Sequence, residues 1–156
     1  MTAADNIANT RRVFDECWGK GSLDVLNDLL SADYIEHDPS IPGGLLNLDA
    51  FKQNILMYRT AFPDVQFTLD EVSAVGDNQV IVRWTARGTN TGPLLGMPPT
   101  GKASTVTGLT LSRYENGKGV EAYTNWDTFG LLQQLGAIPA MTPQPSMTAD
   151  TRPQAH

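Results

Sequence analysis

Cysteine is almost missing from this chain. Cys17 stands alone in 156 residues, so no intramolecular disulfide can form and no cysteine cluster can hold a metal. A reducing, cytoplasmic setting is the default for such a composition. Histidine is nearly as scarce: only His37 and His156 occur, too few with one cysteine for a zinc site. Positive charge is also short, with 11 Lys plus Arg against 17 acids and a formal net charge of −6. No basic cluster breaks this balance, which argues against nucleic acid or an anionic membrane as partner. Apolar runs last only a few residues, far below the ~20 needed to span a bilayer. The opening Met1-Thr-Ala-Ala-Asp5 lacks a positive n-region and an apolar h-region, so no secretory signal is expected. Nucleotide and nucleophile motifs are missing too. No Gly-x-Gly-x-x-Gly or Gly-x-Ser-x-Gly occurs, and Gly96-Met-Pro-Pro-Thr-Gly-Lys102 has the wrong order for a phosphate-binding loop.

What remains is an ordinary globular composition, 40% hydrophobic and 18% charged, long enough for one domain with a real core. Ile7, Thr10, Phe14, Cys17 and Trp18 fall on one helical stripe, stopped by Gly19-Lys-Gly21. Ser22 or Asp24 can open a second helix to about Leu30. Asp33 to Pro39 reads as a short extended segment, and Ser40-Ile-Pro-Gly-Gly-Leu-Leu46 has the punctuation of a flap or lid. A third helix is predicted from about Leu48 to Phe62, ended by Pro63. The period then changes to two. Strands are expected from Val65 toward Val75, Gln79 to Thr89, Ala103 to Tyr114 and Gly119 to Asp127. Asn-Gly within Glu115-Asn-Gly-Lys118 marks a hairpin. A last helix runs from about Thr128 to Leu135, with Gly136 as its stop. Residues 137–156 are rich in Pro, Thr, Ser, Gln and Ala and read as a flexible tail after a single domain over 1–136.

Helices first, then consecutive antiparallel strands, then a small helix give an α+β arrangement with helices packed on one face of a bent sheet. Such a sheet leaves a cone-shaped cavity of the kind that takes small ligands.

Four segments together resemble the SnoaL-like polyketide cyclase family of the nuclear transport factor 2-like superfamily. They are Tyr34-Ile-Glu-His-Asp-Pro39, Ala61-Phe-Pro-Asp64, the pair Arg83 to Gly92 and Gly96 to Gly101, and Asp127-Thr-Phe-Gly-Leu-Leu-Gln-Gln-Leu-Gly136. The resemblance spans roughly residues 7–139. It implies a cone-shaped barrel of a curved, mainly antiparallel sheet wrapped around N-terminal helices. It implies a cofactor-independent enzyme of lyase or isomerase class, acting by enolisation or aldol-type cyclisation on a hydrophobic carbonyl-bearing small molecule such as a polyketide. A homodimer or homotetramer formed through the sheet is also implied. The superfamily includes non-catalytic binding proteins, so a small-molecule-binding or assembly protein is the alternative.

Asp127 is the first catalytic candidate. It ends a strand in which Tyr123, Asn125 and Asp127 share one face and Ala122, Thr124 and Trp126 the other. If the carboxylate meets the cavity, apolar walls raise its pKa toward use as a general base, the role the resemblance implies. If it caps the following helix, hydrogen bonds from the first free amides hold it as an anion instead. His37, between Glu36 and Asp38, is either a general acid at the rim or a loop histidine bonded to backbone. Asn90 stands where many relatives have histidine; it either holds a carbonyl or supports a turn. Thr110 stands near a position where relatives often carry His or Asp, and Thr107 beside it is also neutral. Trp18, Tyr34, Tyr58, Phe62, Trp84, Met97, Tyr123 and Trp126 are candidate cavity walls, with Asn125 beside them on the Asp127 face. Arg59 could reach an ester or carboxylate or stay solvated; Arg83 and Arg87 have the parity of an outer face.

Overall fold

The computed structural model describes residues 2–139; the proposed tail beyond Pro139, with His156, lies outside the described residues. The chain starts on a capping box. The Thr2 side chain accepts from the Asp5 amide while Asp5 accepts from the Thr2 amide, opening helix α1 (Ala3–Arg12). The helix does not stop at Arg12. It widens into a π-turn, Val13–Trp18, which ends at Gly19. Phe14 and Cys17, on the stripe that helical spacing predicts, are buried within this turn. A short 3-10 turn, Leu23–Val25, leads to α2 (Leu26–Leu29).

The extended segment before the proline is a full strand, β1 (Leu30–His37), and the expected flap contains a second, β2 (Leu45–Asn47). Asn47 then accepts from the Ala50 amide at 2.9 Å and caps α3 (Leu48–Ala61). Four longer strands complete the sheet: β3 (Gln66–Val75), β4 (Gln79–Thr89), β5 (Ala103–Glu115) and β6 (Lys118–Trp126). Helix α4 (Thr128–Gln134) closes the described fold.

The strands form one sheet in the order β2-β1-β6-β5-β4-β3. The β3–β4–β5–β6 meander is antiparallel, as alternation and the Asn-Gly turn predict. Asn116 and Gly117 both take positive φ, 50° and 79°, which is what a tight hairpin with right-handed strand twist demands. The unforeseen pairing is β1 beside β6, parallel, with His37 opposite Tyr123. It requires a long connection and carries no local sequence signal. The sheet is curved and open: β2 and β3 remain its edges, so "barrel" describes the curvature only. The fold class is α+β, as expected.

Side chains of the concave face meet the helices in two apolar groups. One joins Phe14, Phe62, Val80, Val82, Trp84, Tyr114, Leu131 and Leu135. The other joins Cys17, Leu26, Leu29, Leu30, Tyr34, Phe51, Ile55 and Ala122, and Trp18 packs against both. Each fully buried Leu or Ile here stabilises by about 1.5–3 kcal/mol. Among the described residues no helix is long and apolar enough to cross a membrane.

Candidate active site

Between the two apolar groups lies a cavity. Its wall takes Phe14 and Trp18 from the first helical segment, Phe51, Tyr58 and Phe62 from α3 and its end, Phe67, Trp84 and Val106 from the sheet, and Leu131 from α4. Strand alternation sets which sheet residues reach it. Along β5, Ser104, Val106, Gly108 and Thr110 are buried while Thr105, Thr107 and Leu109 face away. Gly108 is required: a Cβ there would lie 2.2 Å from the Trp84 ring, which fills the space over that strand.

Two carboxylates line this apolar space, Glu36 and Asp38, each only 5% exposed. They sit two residues apart, so the alternation of β1 points Glu36 inward together with Tyr34, and Asp38, the first residue past the strand, keeps the same side. Glu36 ends a chain of hydrogen bonds. The Trp84 indole N–H donates to the Thr110 hydroxyl at 3.1 Å, and the Thr110 and Thr124 hydroxyls lie 3.0 Å apart. Thr124 donates to Glu36 Oε1 at 2.5 Å, and the Tyr34 hydroxyl donates to Oε2. An indole nitrogen can only donate, so every hydroxyl in the row points its hydrogen toward Glu36. Thr110 and Thr124 are direct register partners across β5 and β6, which makes the row possible.

Burial raises the Glu36 pKa above the usual carboxylate range; the bonds from Thr124 and Tyr34 oppose this, and the Asp38 charge adds to it. Burial and the Glu36 charge likewise push Tyr34 well above an ordinary phenol. Asp38 has different company. Its Oδ1 accepts from the Ser40 amide at 2.8 Å and the Ser40 hydroxyl at 2.6 Å, while no hydrogen bond reaches Oδ2 among the described residues. Ser40 in turn accepts from the Trp126 indole at 3.2 Å, tying the residue 38–44 loop to the cavity wall.

Of the residues proposed from sequence, Trp18, Tyr34, Tyr58, Phe62, Trp84 and Thr110 meet at this cavity, as does Trp126. Arg59 lines it too, and the others stand elsewhere. Asp127 is exposed and caps α4, its Oδ1 accepting from the Gly130 amide at 2.8 Å. Of the two situations weighed for it, the cap is the one found. Asn125 shares its outward parity and joins Asp127 and Arg83 around a shallow hollow on the other side of the sheet. Tyr123 is 47% exposed on that outer face, and His37 stacks on it with ring centroids 4.1 Å apart and planes 4° from parallel. His37 Nε2 also meets Glu121 Oε2 at 2.8 Å, and together with Arg113 this bond holds the Glu121 pKa down. Asn90 is 1% exposed but ties loop backbone together: its amide donates to Gly92 O and Ala61 O, and its Oδ1 accepts from Thr100. Met97 belongs to the neighbouring turn, paired with Leu94. Arg59 spends one nitrogen on the carbonyls of Trp18 and Gly19, at 2.7 and 2.9 Å.

Sequence reasoning missed Glu36, Asp38, Thr124 and Asn54 as cavity residues. A signal exists for the first two. Tyr34 is a predicted wall, and period two carries that face to 36 and 38, leaving His37 on the reverse side. Among the described residues no three His, Cys, Asp or Glu gather as a metal site.

Comparison with curated protein sequences gives no match. Among solved structures, a candidate SnoaL-like polyketide cyclase from Jannaschia sp. CCS1 superposes with TM-score 0.78 at 24% identity, covering 87% of this chain and 94% of that one. AclR, a candidate hydroxylase from Streptomyces galilaeus, gives 0.79 at 22% identity over 90% and 87%. IdmH, a candidate polyketide cyclase from Streptomyces antibioticus, gives 0.72 at 29% identity over 87% and 99%. The first two likenesses speak for the fold alone. The sequence profile of the SnoaL-like polyketide cyclases matches residues 8–135, nearly all of the described fold. On that match, the chain belongs to the SnoaL-like polyketide cyclase family.

Proposed function

We propose that this protein is a cofactor-independent acid/base enzyme of cyclase or isomerase type, acting on a hydrophobic, carbonyl-bearing small molecule such as a polyketide. The observation that carries the reading is the pair of buried carboxylates, Glu36 and Asp38, on the wall of an aromatic cavity. Two acids in unlike surroundings can divide the work of donor and acceptor. Asp38, with one oxygen free of protein partners among the described residues, takes a proton from the carbon beside the carbonyl. Glu36, whose pKa burial raises, keeps a proton to higher pH than an ordinary carboxylic acid and serves as the acid that protonates the developing alkoxide or carbon. The residue 38–44 loop, tied to Trp126 through Ser40, limits water at the acceptor. His37 and Asp127 have no part in this scheme.

Deuterium uptake at the alpha carbon of an aromatic ketone or ester, followed by NMR in D2O, tests it. Asp38→Asn is expected to lower exchange by about 10²–10⁴-fold, the usual share of a general base, with the fold unchanged by circular dichroism. Wild-type exchange in a folded Asp38→Asn protein would remove the reading. A second reading, ligand binding without chemistry, is favoured by one observation: both Glu36 oxygens are already engaged by Thr124 and Tyr34. Tight binding with no Asp38-dependent exchange supports that rival. The reading extends to a homodimer or homotetramer in the cytoplasm, since Leu109 and Tyr123 leave apolar surface on the outer sheet face; light scattering decides the oligomer.

A further inference from the structure

We infer that Asn54 and Tyr58 form a carbonyl cradle, two donors on one face of α3 that hold the oxygen of an enolisable ketone or ester while Asp38 faces its alpha carbon. The cradle rests on the acid/base reading above and adds the substrate's anchoring point. Most polar groups of the cavity are already taken. Glu36, Tyr34, Thr110 and Thr124 are bonded to one another, and Arg59 Nη1 is committed to two carbonyls. Asn54 and Tyr58 also line the cavity, yet neither side chain makes a hydrogen bond among the described residues. Nor are their polar atoms sealed off: among the described residues, the enclosed side-chain atoms without partners are Asn9 Oδ1 and Thr128 Oγ1. Asn54 and Tyr58 are both half-buried residues of the cavity wall whose polar atoms a ligand or solvent can reach.

Their placement is set by the helix. Residues four apart lie on one face with Cβ atoms ~5–6 Å apart, close enough for two donors to converge on one oxygen. The Tyr58 ring is fixed edge-on against Trp126, with centroids 5.5 Å apart and planes at 87°. Trp126 is itself tied to Asp38 through Ser40, so donor and acceptor belong to one braced unit. Burial, with the Asp38 charge adding to it, pushes the Tyr58 hydroxyl up to about 12, which keeps it a donor across the neutral range. Arg59 acts as a positioning residue: its bonds to Trp18 O and Gly19 O lock α3 against the end of the π-turn.

The step balances within the site. The alpha C–H proton passes to Asp38 and the C–H electron pair becomes the enolate C=C bond. The carbonyl oxygen gains the charge and is held by the Tyr58 O–H and an Asn54 N–H. Reversal with a deuteron from solvent gives exchange, and attack of the enolate on a second carbonyl of the same ligand closes a ring.

The test uses 2-acetylnaphthalene and its hydrocarbon counterpart 2-ethylnaphthalene with the full chain, Tyr58→Phe, Asn54→Leu and the double variant. Calorimetry and circular dichroism confirm that each variant folds. The ketone is expected to bind at least fivefold tighter than the hydrocarbon, and its C=O stretch to move to lower wavenumber on binding. In the double variant both differences should vanish. Deuterium exchange should fall about 10²-fold for each single variant, the scale of one oxyanion donor. A ketone that binds no better than the hydrocarbon, or a C=O stretch equal in wild type and double variant, overturns the cradle. Asp38-dependent exchange unaffected by Tyr58→Phe and Asn54→Leu overturns the cradle and leaves the acid/base reading intact. A donor-dependent stretch shift without any exchange does the reverse.

Discussion

Asp127 and Asp38 are both aspartates that accept backbone amides near a turn, yet only one lines the cavity. Asp127 accepts from Gly130 at the start of α4 and is exposed; truncating such a cap costs about 1 kcal/mol. Asp127→Ala should therefore lower the unfolding free energy in urea by that amount and leave alpha-carbon exchange per folded molecule unchanged. Cys17 offers a second check. Burial pushes its thiol up to about 11, so it stays protonated at neutral pH. Alkylation by iodoacetamide should be slow in native protein and rapid once urea unfolds it. Residue chemistry is hardest to read from sequence where one residue type serves two purposes. Asp before a helix and His between two acids both fit a catalytic role and a structural one, and only neighbours off the local chain separate them. Asn90 illustrates this: its partners Ala61 and Thr100 are distant in sequence.

At the scale of elements, much was legible. The bounds of α3 and of the four long strands come from period and punctuation, because apolar faces of one helix or one strand are local properties. The face that turns inward is different. Alternation along β6 separates Thr124 and Trp126 from Asn125 and Asp127, but it is symmetric, and only packing against α3 decides which set is inside. The parallel partnership of β1 with β6 was invisible for the same reason. That partnership lets Thr124 reach Glu36, so the hydroxyl row depends on it. Thr124→Val should leave Glu36 Oε1 without its donor, costing about 1–3 kcal/mol. It should also move any Glu36-governed limb of a pH–rate profile to higher pH, since a bond that lowered the pKa is gone. Gly108→Ala should destabilise by about 1–3 kcal/mol, because the added carbon meets the Trp84 ring; a changed tryptophan emission would accompany the loss in Tm.

The whole molecule carries a net charge of −6, and among the described residues one acid, Glu36, is enclosed with a raised pKa. For Glu36 the folded value exceeds the unfolded one, so its contribution to stability is complete below the ordinary carboxylate range. It is lost as pH rises through the raised value. Urea unfolding of wild type and Glu36→Gln across pH should diverge in that direction, wild type losing stability relative to the variant as pH climbs. Acids whose pKa is lowered, such as Asp5, Asp64 and Glu121, act in the opposite sense but are common to both proteins and cancel in the difference. The cavity has one more consequence for the molecule as a whole. All three tryptophans of the chain, Trp18, Trp84 and Trp126, line it. Tryptophan emission, excited selectively at the red edge of the absorption band, therefore comes wholly from the wall of the ligand space, with no remote indole to dilute it. A panel of unlabelled carbonyl compounds can be ranked by quenching alone, which turns the protein into its own indicator of what it accepts.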